Sequence, residues 1–268
     1  MSSLQPVIKW SGSKRSQAEE IISYFPRNYN TYYEPFVGGG SILGKLNPDK
    51  AIVGDSCIPL IKTWGMIKNN PQELSNHYRH EWLLLQEDKS HYYKVRERFN
   101  NYQDPKDFLF LTRTAFNGLI RFNKNGDFNS SYHTNRPGIN PDKLDKIIIQ
   151  WNNIIKNVRF LNSDCFVTCS TISPYDVVYL DPPYANTKGM YGDTFTVEKL
   201  YELLEFINSR NAYYVLSFDG KTNKKDNTVN IPKELYKNNY YMKSYNSSFS
   251  RLKGNNNTLV SESLYTNF

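Results

Sequence analysis

The sequence predicts an α/β fold in which a parallel, doubly wound sheet is interrupted by a helical insertion. Two apolar segments near the start, 31–35 and 50–56, run into glycine or acidic residues and are followed by helix-like periodicity. Three later segments, 157–164, 175–184 and 211–220, also run from apolar residues into a polar end. Strands that alternate with helices form parallel sheets, which bind ligands at the carboxyl ends of their strands.

The rest of the chain divides by its periodicity into helices and one irregular stretch. Residues 57–68 have the apolar spacing of a helix, and 71–116 contain three further helical patterns, of which the middle one is basic and aromatic. Asn, Gly, Ser and Pro interrupt both periods in 117–138, which predicts a loop. A last helix is predicted over 141–157, before the strand-like segments resume.

This order of elements predicts two domains. Residues 1–57 and 157–268 are expected to form the sheet-containing domain, at whose strand ends a ligand would bind. Residues 58–156 are expected to form an inserted domain that is mainly helical, basic and rich in loops.

Composition favours a polyanionic partner and argues against several other classes of protein. The chain has 33 Lys and Arg against 26 Asp and Glu, a net charge of +7, which suits nucleic acid, although many basic proteins bind none. The 21 tyrosines could stack on bases. We expect no secretory signal or membrane span, reduced thiols without a CxxC pair, no metal site, and a cytoplasmic protein that is a monomer or weak dimer.

A glycine turn and an acid one strand further along predict a cofactor site. The three glycines of the segment 36–41 allow positive φ angles and a close approach of the backbone to a nucleotide-like ligand, although a plain tight turn would use them equally. The pattern is not GxGxxG, so it does not indicate NAD. Asp55 lies at the distance where doubly wound folds place the acid that binds ribose hydroxyls, and it could also cap the following helix.

The segment 181–184, Asp-Pro-Pro-Tyr, carries the strongest local signal for chemistry. Asp181 and the carbonyl group of Pro182 could accept both protons of an exocyclic NH₂ group, while Tyr184 could stack on a planar ring. Two such hydrogen bonds draw the nitrogen lone pair out of conjugation and make an aromatic amine nucleophilic. The alternative is a structural turn that ends a buried strand.

Five segments, in this order, resemble the Dam-type DNA adenine-N6 methyltransferases. They are VIKWSGSK (7–14), YEPFVGGGS (33–41), VGDS (53–56), RTAFNGLIRFNKNGDFN (113–129) and LDPPY (180–184). The order resembles the α group of the D12 class. The resemblance implies a Rossmann-like methyltransferase sheet with helices on both faces, an inserted target-recognition domain, S-adenosylmethionine as cofactor and an adenine flipped out of double-stranded DNA.

The resemblance also implies roles for individual residues. The implied catalytic residues are Asp181, Pro182, Pro183 and Tyr184. Those implied to bind the cofactor are Trp10, Lys14, Glu34, Pro35, Phe36, Gly38, Gly39, Gly40, Ser41, Asp55, Asp164, Cys165 and Asp181. Those implied to bind DNA, or able to do so by their charge, are Lys9, Arg113, Phe116, Asn117, Leu119, Arg121, Asn123, Lys124 and Arg136.

The chemistry of the recognition residues agrees with this assignment. Arginine reads guanine with two hydrogen bonds, asparagine pairs with adenine, and Phe116 or Leu119 could fill the gap left by a flipped base. A solvated basic loop is the alternative. The chain departs from the family at two places, reading WSGSK where the family commonly has WxGGK, and FNSSYH where it often has FNVP. A GATC target or a related short palindrome is therefore an expectation only.

The mechanism expected is direct, in-line transfer of a methyl group to adenine N6, without a covalent enzyme intermediate. Cytosine-C5 chemistry is disfavoured because no cysteine follows a proline. Methylation of cytosine N4 or of an RNA base would use nearly the same loop, and an inactive nucleic-acid-binding module remains a further alternative. The sequence leaves open whether the enzyme is solitary or part of a restriction-modification pair.

Overall fold

The computed structural model describes residues 4–135, 138–183, 195–222, 229–242, 245–246 and 259–268. Within these residues, eight strands form one sheet. In chain order the strands are β1 (Tyr32–Glu34), β2 (Ala51–Asp55), β3 (Val158–Asn162), β4 (Val177–Leu180), β5 (Tyr213–Thr222), β6 (Asn238–Tyr241), β7 (Tyr245–Asn246) and β8 (Leu259–Thr266). Their order across the sheet is β3-β2-β1-β4-β5-β8-β6, and β7 pairs with β8.

The first five strands form the parallel, doubly wound part of the sheet that the sequence predicts. Neighbouring strands from β3 across to β5 pair in parallel. The chain winds from β1 to β2 and β3 on one side and then returns to place β4 on the other side of β1. The carboxyl ends of β1 and β4 therefore flank a topological switch point, where open α/β sheets bind ligands. Strand β8 is antiparallel to both of its neighbours β5 and β6.

Helices cover both faces of the sheet, as predicted. In chain order they are α1 (Ala18–Ser23), α2 (Ser41–Leu46), α3 (Ile58–Asn69), α4 (Pro71–Glu87), α5 (His91–Tyr102), α6 (Pro105–Thr114), α7 (Pro141–Ile154), α8 (Cys165–Thr168) and α9 (Val197–Ser209). Alternate side chains of β4 enter two different hydrophobic clusters: Val177 and Tyr179 pack in one, Val178 and Leu180 in the other. All four are buried because both faces are covered.

The first and last helices of the segment between β2 and β3 pack close to the sheet. Trp64 of α3 stacks on Phe160 of β3 with the ring centroids 5.5 Å apart, and its ring lies 4.9 Å from that of Trp151 of α7. Helices α4 to α6 share the same hydrophobic cluster, through residues such as Tyr78 and Phe108. The core on this face of the sheet thus continues into the helical segment.

A buried ionic network links α4, α5 and α6. Among the described residues, one group could geometrically hold a metal ion, and it consists of His77, Glu81 and Asp107. The guanidinium group of Arg98 already donates to Glu81 at 2.9 Å and to Asp107 at 2.7 Å. His91 also lies against Glu81. Since a fixed positive charge lies against both carboxylates, the group is better suited to joining the three helices than to binding a cation.

No described helix has the length and apolar character needed to cross a bilayer.

Candidate active site

The carboxyl ends of three neighbouring strands carry the acids that stand out in the sequence. Glu34 is the last residue of β1, Asp55 is the last of β2, and Asp181 directly follows β4. Strand β1 lies between β2 and β4, and all three run in the same direction. The three side chains therefore lie at one edge of the sheet, beside the switch point.

Glu34 lies in the deepest position of the three. Its side chain is buried, and the hydroxyl group of Tyr32 donates a hydrogen bond of 2.8 Å to one carboxylate oxygen. Burial raises the pKa of Glu34 to about 8; the Tyr32 hydrogen bond opposes this shift, and the nearby charge of Asp181 adds to it. A carboxyl group with this pKa carries its proton at neutral pH.

The raised pKa predicts that Glu34→Gln changes the pH dependence of stability. An acid whose pKa is higher in the folded than in the unfolded state destabilises the fold as pH rises from the unfolded value, 4.5, through the folded value of about 8. Glutamine does not ionise, so the variant escapes this loss. Its free energy of unfolding minus that of the original protein should therefore increase by roughly 2 to 4 kcal/mol from pH 5 to pH 9. Denaturant titrations at several pH values measure this gain.

Glu205→Gln, on the exposed side of α9, is the matched control. Its difference from the original protein should stay constant over the same pH range. A constant difference for Glu34→Gln as well would show that Glu34 ionises normally in the folded protein.

The glycine turn after β1 has the backbone geometry that its sequence predicts. Gly38 and Gly40 have φ angles of +45° and +67°, in the left-handed region that disfavours side chains. A Cβ atom on Gly38 would lie 2.7 Å from the indole ring of Trp10, so the turn packs directly beneath that ring. The indole nitrogen of Trp64 donates to the Gly38 carbonyl at 3.0 Å and holds the turn from the other side.

Asp55 connects the glycine turn to the start of α3. One of its carboxylate oxygens accepts a hydrogen bond from the Gly38 amide at 3.1 Å, and the other accepts one from the Cys57 amide at 3.0 Å. The sequence offered helix capping as an alternative role for Asp55, but the N-cap position of α3 is occupied by Cys57, and Asp55 instead binds the amide of that residue. Burial raises the pKa of Asp55 to about 6, although both amides oppose the shift. Each oxygen keeps a further lone pair that could accept a ligand hydroxyl.

Asp181 faces a lysine from the N-terminal segment of the chain. The Nζ atom of Lys14 lies 3.1 Å from Asp181 and 3.2 Å from Glu262 of β8. Burial raises the pKa of Asp181 to about 6; Lys14 opposes this shift and Glu262 adds to it. The Asp181 side chain is 23% exposed, so a ligand can reach it. Pro182 is buried and Pro183 exposed, while Tyr184 lies outside the described residues.

The six residues 9–14 lie across the whole site. The side-chain carbons of Lys9 cover Gly118, and the Trp10 ring covers the glycine turn. The Ser13 hydroxyl group lies 2.7 Å from that of Ser41, at the start of α2. With the ion pair of Lys14, this segment joins the loop after α6, the turn after β1 and the segment after β4.

The residues after β3 that the resemblance implicates have clear structural roles. Asp164 caps α8 by accepting a hydrogen bond from the Val167 amide at 2.9 Å, and its side chain is exposed. Cys165 is buried in the cluster around α9, so its side chain belongs to the core. In the turn after β1, Pro35 is buried, and the Phe36 ring packs edge-on against Phe195 at 5.2 Å.

The loop after α6 folds back on itself as an irregular hairpin. Isolated antiparallel bridges pair Ala115 with Tyr132 and Phe122 with Phe128. Asn123 shapes the tip, because its side-chain oxygen accepts hydrogen bonds from the amides of Asn125 and Asp127 at 2.8 and 2.9 Å. Lys124, which lies in the tip between Phe122 and Phe128, has an exposed side chain. The side chain of Asn123, which was assigned to DNA, is thus engaged in the turn itself.

The base of this hairpin presents an aromatic ring to the outside. Phe116 is 48% exposed, and it stacks on His133 with the ring centroids 5.0 Å apart. Asn117 has a φ angle of +56°, and Leu119 is partly exposed. Arg121, two residues after Leu119, is exposed. The histidine that supports Phe116 belongs to the FNSSYH sequence at which this chain departs from the family.

One of the basic residues assigned to DNA, Arg113, is not displayed on this surface. Arg113 is 5% exposed, and it donates to the carbonyl group of Pro6 at 3.2 Å. This position suits an anchor for the segment 4–14 better than a contact with phosphate. Arg136 lies outside the described residues.

Together, a glycine turn, an acid on the neighbouring strand and an Asp-Pro-Pro segment surround the switch point of a parallel sheet. This is the arrangement in which open α/β enzymes bind nucleotide-like ligands. The sequence model of the D12 class N6 adenine-specific DNA methyltransferases matches residues 10–243. The chain belongs to this family of DNA-modifying enzymes, and the resemblance inferred from its motifs is confirmed.

Three relatives show how similar the chain is to other methyltransferases. The chain is 34% identical over 204 residues to the type II methyltransferase M.MjaIII of Methanocaldococcus jannaschii, covering 68% of this chain and 69% of the relative. It is 27% identical over 252 residues to M1.LlaDCHI of Lactococcus lactis subsp. cremoris, covering 87% and 85%. It is 28% identical over 208 residues to the DNA adenine methylase of Escherichia coli K12, covering 74% and 73%.

Proposed function

We propose that this enzyme transfers the methyl group of S-adenosylmethionine to N6 of an adenine flipped out of double-stranded DNA, at one short sequence. The observation that carries the proposal is the position of Asp181, which lies beside the switch point, held by Lys14 and open to a ligand. A carboxylate and a proline carbonyl group at this position can accept both protons of an amino group. A target of GATC or a related short palindrome is part of the proposal, as is action on DNA in the cytoplasm.

The site suits the proposed cofactor in charge and in donor chemistry. The carboxylates of Asp181 and Glu262 flank the ammonium group of Lys14. Asp55 and Glu34 lie close by, and Glu34 is protonated at neutral pH. S-adenosylmethionine supplies a methyl group bonded to a positively charged sulfur, and it also carries an ammonium group and ribose hydroxyls. Acceptor-rich, negative surroundings match these groups.

Particular residues would hold the parts of this cofactor. The turn from Glu34 to Gly40 would hold the amino-acid part beneath the Trp10 ring, because the glycines allow close approach. Asp55 would accept the ribose hydroxyls with the lone pairs that its two amide bonds leave free. The segment that begins at Asp164 would border the adenine ring.

The chemistry asked of the protein is modest. Asp181 and the Pro182 carbonyl group would accept hydrogen bonds from the two N6 protons, which would free the nitrogen lone pair for attack, and S-adenosylmethionine would supply the methyl group. The nitrogen then carries an extra proton, which leaves through Asp181 to solvent. Asp181 need not be a strong base, since that proton becomes acidic only as the methyl group arrives. Tyr184 is proposed to stack on the flipped base.

The helical segment 58–156 is proposed to recognise the target, with the hairpin after α6 at its centre. Phe116 is exposed and backed by His133, so it can enter the base stack without collapsing onto the protein. Lys9, Asn117, Leu119 and Arg121 lie on the same loop or against it and would read the neighbouring bases.

Arg121→Ala should relax target choice. If the exposed guanidinium group makes a bidentate contact with guanine, its loss should cost about 1 to 3 kcal/mol of binding free energy at the cognate site and little elsewhere. Lys124→Ala, at the tip of the same hairpin, is the control, because loss of a phosphate contact weakens binding equally on every sequence. Equilibrium binding to cognate and single-base-changed duplexes separates the two. Equal weakening by Arg121→Ala on all duplexes would reassign Arg121 to phosphate.

The proposal is tested by incubating the protein with S-adenosylmethionine and unmethylated plasmid DNA and mapping the modified bases at single-nucleotide resolution. N6-methyladenine confined to one short sequence is the expected result. N4-methylcytosine, or a mark on RNA alone, would contradict the assigned substrate. If the cofactor raises the melting temperature and DNA binds but no mark forms, the transfer step itself would be wrong.

A further inference from the structure

Glu262 lies in the active site although it comes from the last strand of the chain. It lies beyond residues 10–243, the part that matches the family. Strand β8 pairs with β5 on one side and with β6 on the other, and an irregular step in the β5 register lies beside Glu262. The side chain is 15% exposed. A carboxylate with so little exposure needs a compensating charge, and Lys14 supplies it.

The position of Glu262 is fixed from several directions. Its carbonyl oxygen accepts a hydrogen bond from the Met242 amide at 2.9 Å, which holds the backbone at the edge of β6. The hydroxyl group of Ser217 of β5 lies 3.4 Å from one of its carboxylate oxygens. The neighbouring strands thus hold the Glu262 backbone, and the carboxylate lies between Ser217 and the ammonium group of Lys14.

Lys14 contacts two carboxylates at nearly equal distances, 3.1 Å to Asp181 and 3.2 Å to Glu262. An ammonium group has three N–H donors and no directional preference for one acid. Its position therefore depends on both partners. If Glu262 lost its charge, Asp181 would be the stronger of the two acceptors, and Lys14 would shift towards it.

We propose that Glu262 is a positioning residue for methyl transfer, which by sharing the Lys14 ammonium group leaves Asp181 free to accept a hydrogen bond from the substrate amine. This inference rests on the proposed function. A carboxylate that is fully engaged by an ammonium group is a weaker acceptor for a second donor. Glu262 thus acts through Lys14 and needs no contact with substrate or cofactor.

The charge of Glu262 should also be visible in the titration of Asp181. Among the described residues, the titratable groups that face Asp181 are Glu34 from β1, Tyr179 from β4, Lys14 from the N-terminal segment and Glu262 from β8. Glu262 contributes to the raised pKa of Asp181, and Lys14 opposes it. Removing the negative charge should therefore lower the pKa of Asp181 and move the acidic limb of the rate profile to lower pH.

The experiment compares Glu262→Gln with the original protein. In Glu262→Gln we expect kcat at pH 8 to fall roughly ten- to a hundredfold, as for a misplaced catalytic group, with KM for DNA and for S-adenosylmethionine within about twofold. The acidic limb of kcat against pH should move to lower pH. Carboxyl-carbon NMR of Asp181 in the protein alone should show its pKa lowered in the same direction, a readout that does not require activity.

Two further variants keep the test decisive. Glu262→Asp keeps the charge, so it should retain an acidic limb close to that of the original protein even if kcat falls because the carboxylate is retracted. Glu19→Gln removes an exposed carboxylate that pairs with Lys45 at 3.2 Å, and it should change neither kcat nor the acidic limb.

The results separate this inference from the proposed function. An inactive original protein would contradict the proposed function, and the NMR titration would still decide the link between Glu262 and Asp181. An active protein in which Glu262→Gln changes neither kcat nor the titration of Asp181 would overturn the inference alone. A loss of stability in Glu262→Gln with an unmoved acidic limb would also overturn it, since that is the result expected of a merely structural residue.

Discussion

Asp181→Ala is expected to lower the rate of methyl transfer by roughly 10²- to 10⁴-fold while leaving DNA binding unchanged. The variant removes the acceptor that orients the substrate amine, but it leaves the hairpin after α6 in place. Folding should not suffer, because the ionised carboxylate is costly to bury, as its raised pKa of about 6 shows. Single-turnover rates with saturating cofactor and DNA measure the effect on the transfer step directly.

Asp142→Ala is the matched control for this change. Asp142 is an acid of the same type, but it lies on the exposed surface of α7, where it pairs with Arg79 at 2.6 Å. The control should transfer methyl groups at the original rate. A rate for Asp181→Ala that stayed close to that of the control would show that another group orients the amine, and it would remove the main support for the proposed mechanism.

The second large effect is expected from Gly38→Ala. The added Cβ atom would lie 2.7 Å from the Trp10 ring, at a φ angle of +45° that disfavours any side chain. We expect a loss of about 2 to 4 kcal/mol in the free energy of unfolding, from backbone strain and overpacking together. The displaced turn should also lose the rise in melting temperature that S-adenosylmethionine is expected to produce.

Gly65→Ala provides the opposite result as a control. Gly65 lies within α3, and a Cβ atom there would meet nothing within 4 Å. Alanine in an open helical position should stabilise the protein by roughly 0.5 to 1 kcal/mol and leave cofactor binding unchanged. If both glycine variants had similar stability and similar cofactor-induced shifts, the packing of the turn beneath Trp10 would not matter for binding.

The parallel half of the sheet was predictable because its signals are local. Each strand is a short apolar run, and the residue that ends it, Glu34, Asp55 or Asp181, marks the edge where ligands bind. The positive φ angles of Gly38 and Gly40 were predictable for the same reason, since only the immediate chain decides them. Helix α9 carries an equally clear apolar spacing in 197–209, and it could have been assigned in the same way.

The contacts that complete the site could not be predicted, because they are not local. Nothing near Lys14 in the sequence indicates that it pairs with Glu262, at the opposite end of the chain. Arg113 reads as a surface charge because arginine is seldom buried, yet it lies under the N-terminal segment. Asn123 was assigned to DNA, and only the folded hairpin shows its hydrogen bonds within the turn.

The six residues 9–14 give the site a property that no single side chain explains. Lys9 lies on the loop proposed to read bases, Trp10 on the turn proposed to hold the cofactor, and Lys14 against the acid proposed to orient the amine. A short peptide has a limited reach, at most about 3.6 Å per residue. The number of residues between these three positions therefore limits how far apart the base-reading loop, the glycine turn and Asp181 can lie. Inserting or deleting one residue within the segment would move Lys9 or Lys14 away from its contacts, even if every contacting side chain were kept.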